Sequence, residues 1–425
     1  MKVMEPSAKY LVQPRYKRTE VGVIPADWDA RALGELNPFV TSGSRGWASF
    51  YSDRGSLFVR ITNMSRESIY LDLEKLKFVN LPAESSEGIR TQLQQHDVLI
   101  SITADIGIAS YIDQKVPAPA YINQHIALVR FDQSKTCGKF ISYFLASEKP
   151  QKLFRASTDT GAKAGMSLHT VQQIQVALPP LFEQEAIAEA LSDADALIES
   201  LDQLIAKKRD LKQGAMQELL TGKKRLPGFG GEWEVRRLGE LADIDPEQLG
   251  SETRPNYEFK YISLEDVDWG SLRGHAPQVF SSSPSRARRK LRCDDLLVST
   301  VRPNLKSHLW FRESSADWVC STGFSVVRCR EQFSKPGYIF AHLFADGIAK
   351  QIETLLTGSN YPAINSREVR QLMVPVPTID EQTAIASILS DMDTELAGLQ
   401  SRLAKARQVK QGMMQELLTG RIRLL

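Results

Sequence analysis

Cysteine is scarce in this chain and poorly spaced for chemistry. Only four cysteines occur in 425 residues, Cys137, Cys293, Cys320 and Cys329, and no two form a CxxC pair. The six histidines are equally scattered. A disulfide framework and a zinc site of ordinary ligand spacing are therefore not expected. No run of about 18 apolar residues occurs, so no membrane-spanning helix is expected. The opening stretch MKVMEPSAKYLVQPRYKR lacks the apolar stretch of a secretory signal, which makes the cytoplasm the expected compartment. A glycine-rich phosphate loop of the Walker type is missing too. Charge of one sign is also lacking. A net charge of +2 gives no general attraction for a polyanion, so a nucleic-acid partner would have to be met by local basic patches.

What the chain does have is repetition. Residues 183–226 align without a gap on residues 381–424 at a constant offset of 198, with 25 of the 44 positions identical. The run QGAMQELLTG at 213–222 returns as QGMMQELLTG at 411–420. The same offset extends backwards more faintly: HDVLISIT (96–103) falls on DDLLVSTV (294–301), LVRF (128–131) on VVRC (326–329), and ISYFLASE (141–148) on IFAHLFAD (339–346). Further upstream DWDARALGEL (27–36) matches EWEVRRLGEL (232–241) at an offset of 205. This is an internal duplication of about 200 residues per module, each a variable domain followed by a repeated tail. The resulting division is an N-terminal arm at 1–24, a first variable domain at 25–178, a central repeated helix at 179–226, a second variable domain at 227–375 and a C-terminal repeated helix at 376–425.

Periodicity makes the tails helical. Ile187, Leu191, Ala194, Ile198, Leu201, Ile205, Lys208, Lys212, Ala215 and Leu219 step by four and three, a heptad seam, and Ile385 through Leu417 repeat it in the same register. Each tail follows a proline segment, ALPPLFEQ or PVPTIDEQ, and stops at Thr-Gly, at Gly222 and Gly420. Two such seams are buried most economically against each other, antiparallel. About 38 residues at 1.5 Å give a rod of roughly 57 Å, with the variable domains expected at its opposite ends. Lys212 and Lys410 stand on the apolar seam itself, where each must find a carboxylate or face a partner.

Between the tails lie short strands such as SLFVRI (56–61), DVLISIT (97–103), IALVRF (126–131), FKYISL (259–264), DLLVST (295–300) and FSVVRC (324–329). Each domain then has one short helix, KFISYFLAS or GYIFAHLFA, and a polar loop. The fold class is α+β: two sheet-containing domains joined by two long antiparallel coiled-coil helices, with a pseudo-twofold internal repeat.

Function is expected in the loops, whose residue mix suits nucleic acid. The first domain offers Arg45, Trp47 and Arg54; Arg60, Asn63 and Arg66; Asn123 and Gln124 in INQH; and Thr160 and Lys163 in STDTGAKAGMS. The second offers Arg286, Arg288, Arg289, Lys290 and Arg292 in SSSPSRARRKLR, then Arg302, Asn304 and Lys306 in STVRPNLKSH, and Asn360 and Tyr361 in TGSNYPAIN. Arginine pairs in two-point fashion with guanine, asparagine and glutamine do so with adenine, and lysine meets phosphate. Catalytic motifs are not apparent. Asn37-Pro38-Phe39-Val40 lacks the second proline and the tyrosine of the adenine methyltransferase motif. Two carboxylate and lysine triplets, Asp245 with Glu258 and Lys260, and Asp105 with Asp113 and Lys115, are of a kind that arises by chance.

The chain resembles the specificity subunit of type I restriction-modification systems along essentially its whole length. The resemblance is carried by an ordered double set: GVIPADW and LPGFGGEW before each variable domain, LPPLFEQEAIAEAL and VPTIDEQTAIASIL entering each helix, and KQGAMQELLTGKKRL and KQGMMQELLTGRIRL leaving it. It implies that the variable domains are target recognition domains, each reading one half of a split, asymmetric double-stranded DNA site. The repeated helices would dock two methyltransferase (modification) subunits that bind S-adenosylmethionine and methylate adenine at N6. Separate restriction/translocase subunits, using ATP and Mg, would cut, and this chain would have no active site, cofactor or metal. The same layout would serve a type II system that cuts on both sides of its site, and the residues alone also allow a stand-alone DNA-binding protein.

Overall fold

The computed structural model describes residues 16–424 except 44, 83–84, 159–164 and 357–361. The chain forms two compact units, one of Met1–Asp202 with Arg402–Leu425 and the other of Gln203–Ser401.

In the first unit the strands Phe39–Ser42, Ile126–Arg130, Val98–Ser101 and Ala109–Tyr111 form an antiparallel sheet in that order. Successive residues of a strand face opposite ways. Val98 and Ile100 therefore join Phe140, Ile141 and Phe144 of the helix Gly138–Ala146 on one face. Leu99 and Leu128 join Leu57, Val59 and Ile122 on the other. Covering on both faces explains why VLIS reads as a continuous apolar run instead of alternating. A second sheet runs Ala120–Ile122, Ser56–Val59, Phe78–Val79, Tyr51–Ser52, with its first two strands parallel.

The second unit repeats the plan. Its antiparallel sheet runs Ala242–Ile244, Phe324–Cys329, Leu296–Ser299, Leu309–Trp310. Its second sheet runs Ala276–Val279, Glu258–Ile262, Trp318–Ser321, Ala287–Leu291, again with one parallel pair, Glu258–Ile262 beside Trp318–Ser321. In each unit the strand that enters the domain pairs with the strand that leaves it for the long helix: Asp29–Ala32 with Gln175–Leu178, and Glu234–Arg237 with Met373–Val376.

The repeated tails are helices of 39 residues, Leu181–Leu219 and Ile379–Leu417, and every seam position in both is buried or half-buried. Each unit contains the first part of one helix and the last part of the other, and ion pairs fix their direction. In the first unit Asp202 meets Arg407, Asp195 meets Lys410 and Glu183 meets Arg423. In the second Lys208 meets Glu395, Lys212 meets Asp393 and Arg225 meets Glu381. Rising numbers on one strand of each series meet falling numbers on the other, so the packing is antiparallel. Gly222 and Gly420 end the helical segments with φ of 70° and 69°. A Cβ on Gly420 would lie 2.4 Å from Pro25 Cγ, so the residue also answers a close approach.

One expectation needs correction. The short helix of each domain is not followed by a loop alone: Glu148–Thr158 and Asp346–Leu355 are further helices. The first was concealed because EKPQKLFRAST puts a proline in its first turn, where the missing N–H costs nothing, and has few apolar residues.

Candidate nucleic-acid interface

The central antiparallel strand pair of each unit, Val98–Ser101 with Ile126–Arg130 and Leu296–Ser299 with Phe324–Cys329, is held at one end and open at the other. In the first unit Arg130 donates Nε and Nη2 to the two oxygens of Asp97, at 2.6 and 2.7 Å, and Gln94 N–H donates to the same carboxylate at 2.7 Å. In the second Arg328 grips Asp295 at 2.8 and 2.8 Å, and Arg292 N–H donates to it at 2.7 Å. Asp97 and Asp295 are fully buried. Burial raises the Asp97 carboxyl above its usual range against the opposing pull of Arg130, as a desolvated charge requires.

Four residues further along the strand, about 13 Å away at 3.3 Å each, the chain opens into a rim of loop segments. In the first unit Ile102 N–H donates to His125 O at 2.9 Å, and Met166 N–H to Ile102 O at 2.7 Å. The Thr103 hydroxyl bonds the His125 ring. Asn123 accepts from His125 N–H at 3.1 Å, and the amide of Gln124 lies 3.1 Å from His125 Nε2. Gly43 passes so close that a Cβ there would sit 2.2 Å from the Asn123 carbonyl carbon, which brings exposed Arg45 to the same edge.

The second rim shares two of these backbone bonds, at the offset of 198, and carries other side chains. Thr300 N–H donates to Gly323 O at 2.8 Å, Ile364 N–H to Thr300 O at 2.9 Å, Arg302 N–H to Pro362 O at 2.8 Å and Thr322 N–H to Arg286 O at 2.8 Å. The turn at Pro303–Leu305 presents Arg302, Asn304 and Leu305 to solvent. At the offset of 198 Arg302 answers to Ala104, and both adopt left-handed backbone, with φ of 51° and 61°. Asn123, Gln124 and His125 answer to Ser321, Thr322 and Gly323.

The structure sorts the sequence-derived candidates. Arg45, Arg286, Arg302 and Asn304 are exposed on the rims, and Asn123 and Gln124 are half-buried there. Others are committed to the fold. Trp47 is 3% exposed, stacks on Phe58 at 5.3 Å and donates to Glu87 at 3.1 Å, so it is a core residue and not a base-stacking platform. Asn63 is buried and spends its amide on Asp72 O at 2.9 Å, Lys75 O and Arg60 N–H. Arg60 reaches Lys75 O, and Arg66 is tied to Gln151, Asp105 and Ile106 O.

In the second unit Arg289 is paired with Asp245, and Arg288 lies 5.0 Å over Phe280. Lys290 is half-buried on the same strand, and Arg292 pairs with Glu247. Of the five basic residues in 286–292, Arg289 and Arg292 are thus paired with carboxylates. Lys306 donates to Phe344 O at 3.0 Å and is not a phosphate contact in this arrangement. The carboxylate triplets are likewise spent, Asp245 on Arg289 and Val326 N–H, Asp105 on Arg66, and Lys115 on Glu199. Thr160, Lys163, Asn360 and Tyr361 lie outside the described residues. Thr103, His125 and Thr322 join the rims unannounced; their only signal was a position just past the end of a strand or just before its start.

Residues 26–207 and 230–405 each match the family profile of the type I restriction modification DNA specificity domain. The chain belongs to this family. This specificity subunit is 24% identical over 434 residues, 98% of either chain, to a putative type I restriction enzyme MjaX specificity subunit from Methanocaldococcus jannaschii. It is 23% identical to the MjaVIII specificity subunit of the same organism, over 70% of this chain and 73% of that one. Its fold is similar to that of a type I restriction-modification S subunit from M. genitalium, with a TM-score of 0.59 and 16% identity, covering 96% of this chain and 99% of that one. Among the described residues no helix of the specificity subunit is long and apolar enough to cross a membrane.

Proposed function

We propose that this specificity subunit is the non-catalytic DNA reader of a cytoplasmic adenine-N6 methyltransferase and restriction complex, and that each unit reads one half of a bipartite, asymmetric double-stranded site. The observation that carries the reading is a shared frame with unlike rims: the same buried ion pair and antiparallel strand pair present Thr103, Asn123, Gln124 and Arg45 in one unit, and Arg302, Asn304, Thr322 and Arg286 in the other. Base edges are read by such side chains, while the frame sets their register. The repeated helices dock two modification subunits, which bring S-adenosylmethionine. Separate restriction/translocase subunits bring ATP and Mg and cut. Methylome sequencing of cells carrying this chain with its partner subunits tests the reading. A two-part motif with unlike halves is expected, and a palindromic or single-part motif would overturn it.

A further inference from the structure

Away from the rims, the two units differ where the short helix of each domain meets the long helices. In the first unit Tyr143 donates its hydroxyl to Asp195 Oδ2 at 2.6 Å while Lys410 holds Oδ1 of the same carboxylate. The Lys410 ammonium lies 5.8 Å from the centre of the Tyr143 ring. Tyr70 closes the side with a 2.9 Å bond to Ser192. The pair beneath is well covered, with Lys410 11% and Asp195 12% exposed.

At the offset of 198 the second unit keeps the ion pair, as Lys212 with Asp393, and the serine, as Ser390, but has Ala341 where Tyr143 stands. A cavity of about 250 Å³ results, lined in part by Lys212, Trp310, Phe340, Ala341, Leu389 and Asp393. Lys212 again holds Oδ1, and Asp393 is 57% exposed. No side chain among the described residues reaches its Oδ2.

We propose that this cavity is a socket for one tyrosine side chain of a docked modification subunit, with the ring against Phe340, Leu389 and Trp310 and the hydroxyl donating to Asp393 Oδ2. The proposal rests on the reading that the repeated helices dock such subunits. The first unit supplies the template, since its own Tyr143 makes that contact with the equivalent carboxylate. Size agrees: the volume falls below the roughly 300 Å³ at which small-molecule sites begin and suits a single aromatic anchor, the residue type that dominates interface energetics. A phenylalanine would leave the acceptor without its donor. One socket is thus filled from within and the other from outside, so the two docking sites are unequal.

The test uses the full chain, p-cresol as the tyrosine side-chain analogue and toluene as its control, with binding followed by the indole resonance of Trp310. Saturable binding of p-cresol in preference to toluene is expected for the unmodified chain. The preference should be lost in Asp393→Asn, and binding itself in Ala341→Tyr, which fills the socket as the first unit does. Ala341→Tyr should also weaken association with purified modification subunit by about tenfold, the effect of losing one good anchor. Unchanged p-cresol binding or unchanged association in Ala341→Tyr overturns the proposal. A chain without substitutions that binds no modification subunit overturns instead the docking reading, and with it the partner named here.

Discussion

The frame and the rim of each unit behave as opposites. Across an offset of 198 the frame keeps its buried charges: Asp97 with Arg130 and Asp295 with Arg328, Glu183 with Arg423 and Glu381 with Arg225. The rim keeps its backbone and changes its side chains. A buried carboxylate is expensive to strand, so each partner restrains the other from drifting. At the rim the same left-handed backbone position carries Ala104 in one unit and Arg302 in the other. Duplication followed by divergence at the rim is a way to obtain two readers from one fold.

The largest expected effect lies in the frame. Glu183 accepts from Trp28 Nε1 at 3.0 Å and from Arg423, and Glu381 accepts from Arg225 at 2.7 and 2.7 Å and from Trp233 at 3.3 Å. Replacing either by glutamine takes the buried carboxylate away from its arginine, Arg423 at 12% and Arg225 at 24% exposure, and leaves that arginine to its remaining acceptors. The two should not be equal. Arg423 keeps the Asp27 carboxylate, at 3.0 and 2.8 Å, whereas Arg225 keeps, among the described residues, the neutral carbonyls of Gly230 and Gly231 and the Trp233 ring. Denaturant titration should show Glu381→Gln to be the costlier change, and equal losses would remove this distinction between the units.

Next comes acid. His308 and His342 are buried in the second unit, and burial pushes their imidazoles down to about 4 and about 3. At the offset of 198 the first unit has Ser110 and Phe144, which carry no such charge. A depressed histidine keeps the folded state neutral while the unfolded chain takes up protons, so stability is full above about pH 6.5 and falls as pH drops towards 4. Hydrogen exchange, corrected for its intrinsic pH dependence, should show protection around Ser299 and Phe344 falling within this window. Loss at the same pH around Ser101 and Phe140 would break the contrast.

Much of this organisation was legible in the sequence, and for a physical reason. A duplicated 44-residue tail with a heptad seam can bury that seam in few ways, and the strands VLIS and LLVS announce themselves by apolar runs. The candidate site was less legible, because the same residue types serve as readers and as props. Trp47, Asn63, Arg66 and Arg289 looked like DNA contacts, yet each is consumed by a partner distant in sequence: Glu87, Asp72, Gln151 and Asp245. Loop composition cannot reveal that commitment. Strand position could, since the residues that do reach the rims lie at strand ends.

Arg302→Ala is expected to have a moderate effect on function and little on stability. Losing one arginine contact to a base costs about 1–3 kcal/mol of binding, so affinity for the cognate duplex should fall by one to two orders of magnitude while assembly with modification subunits persists. Methylation mapping should show relaxed choice in one half of the motif only. Relaxation in both halves, or loss of assembly, would place Arg302 in the frame and not on the rim.

The smallest effects rank the ion pairs along the two long helices. Lys410 is 11% exposed, Lys212 24% and Arg407 57%. A charge pair gains strength as water is excluded, but its removal also strands the partner, so the cost should rise steeply with cover. Arg407→Ala should be close to neutral, under about 1 kcal/mol, as for exposed pairs in general. Lys212→Met should cost little more, because Asp393 remains wet. Lys410→Met should stand apart: Asp195 is 12% exposed, and the Tyr143 hydroxyl is then its sole remaining side-chain donor among the described residues. Thermal unfolding of the three variants decides the order. Equal shifts for Lys410→Met and Lys212→Met would mean that the tyrosine covering the first pair does not seal it from solvent.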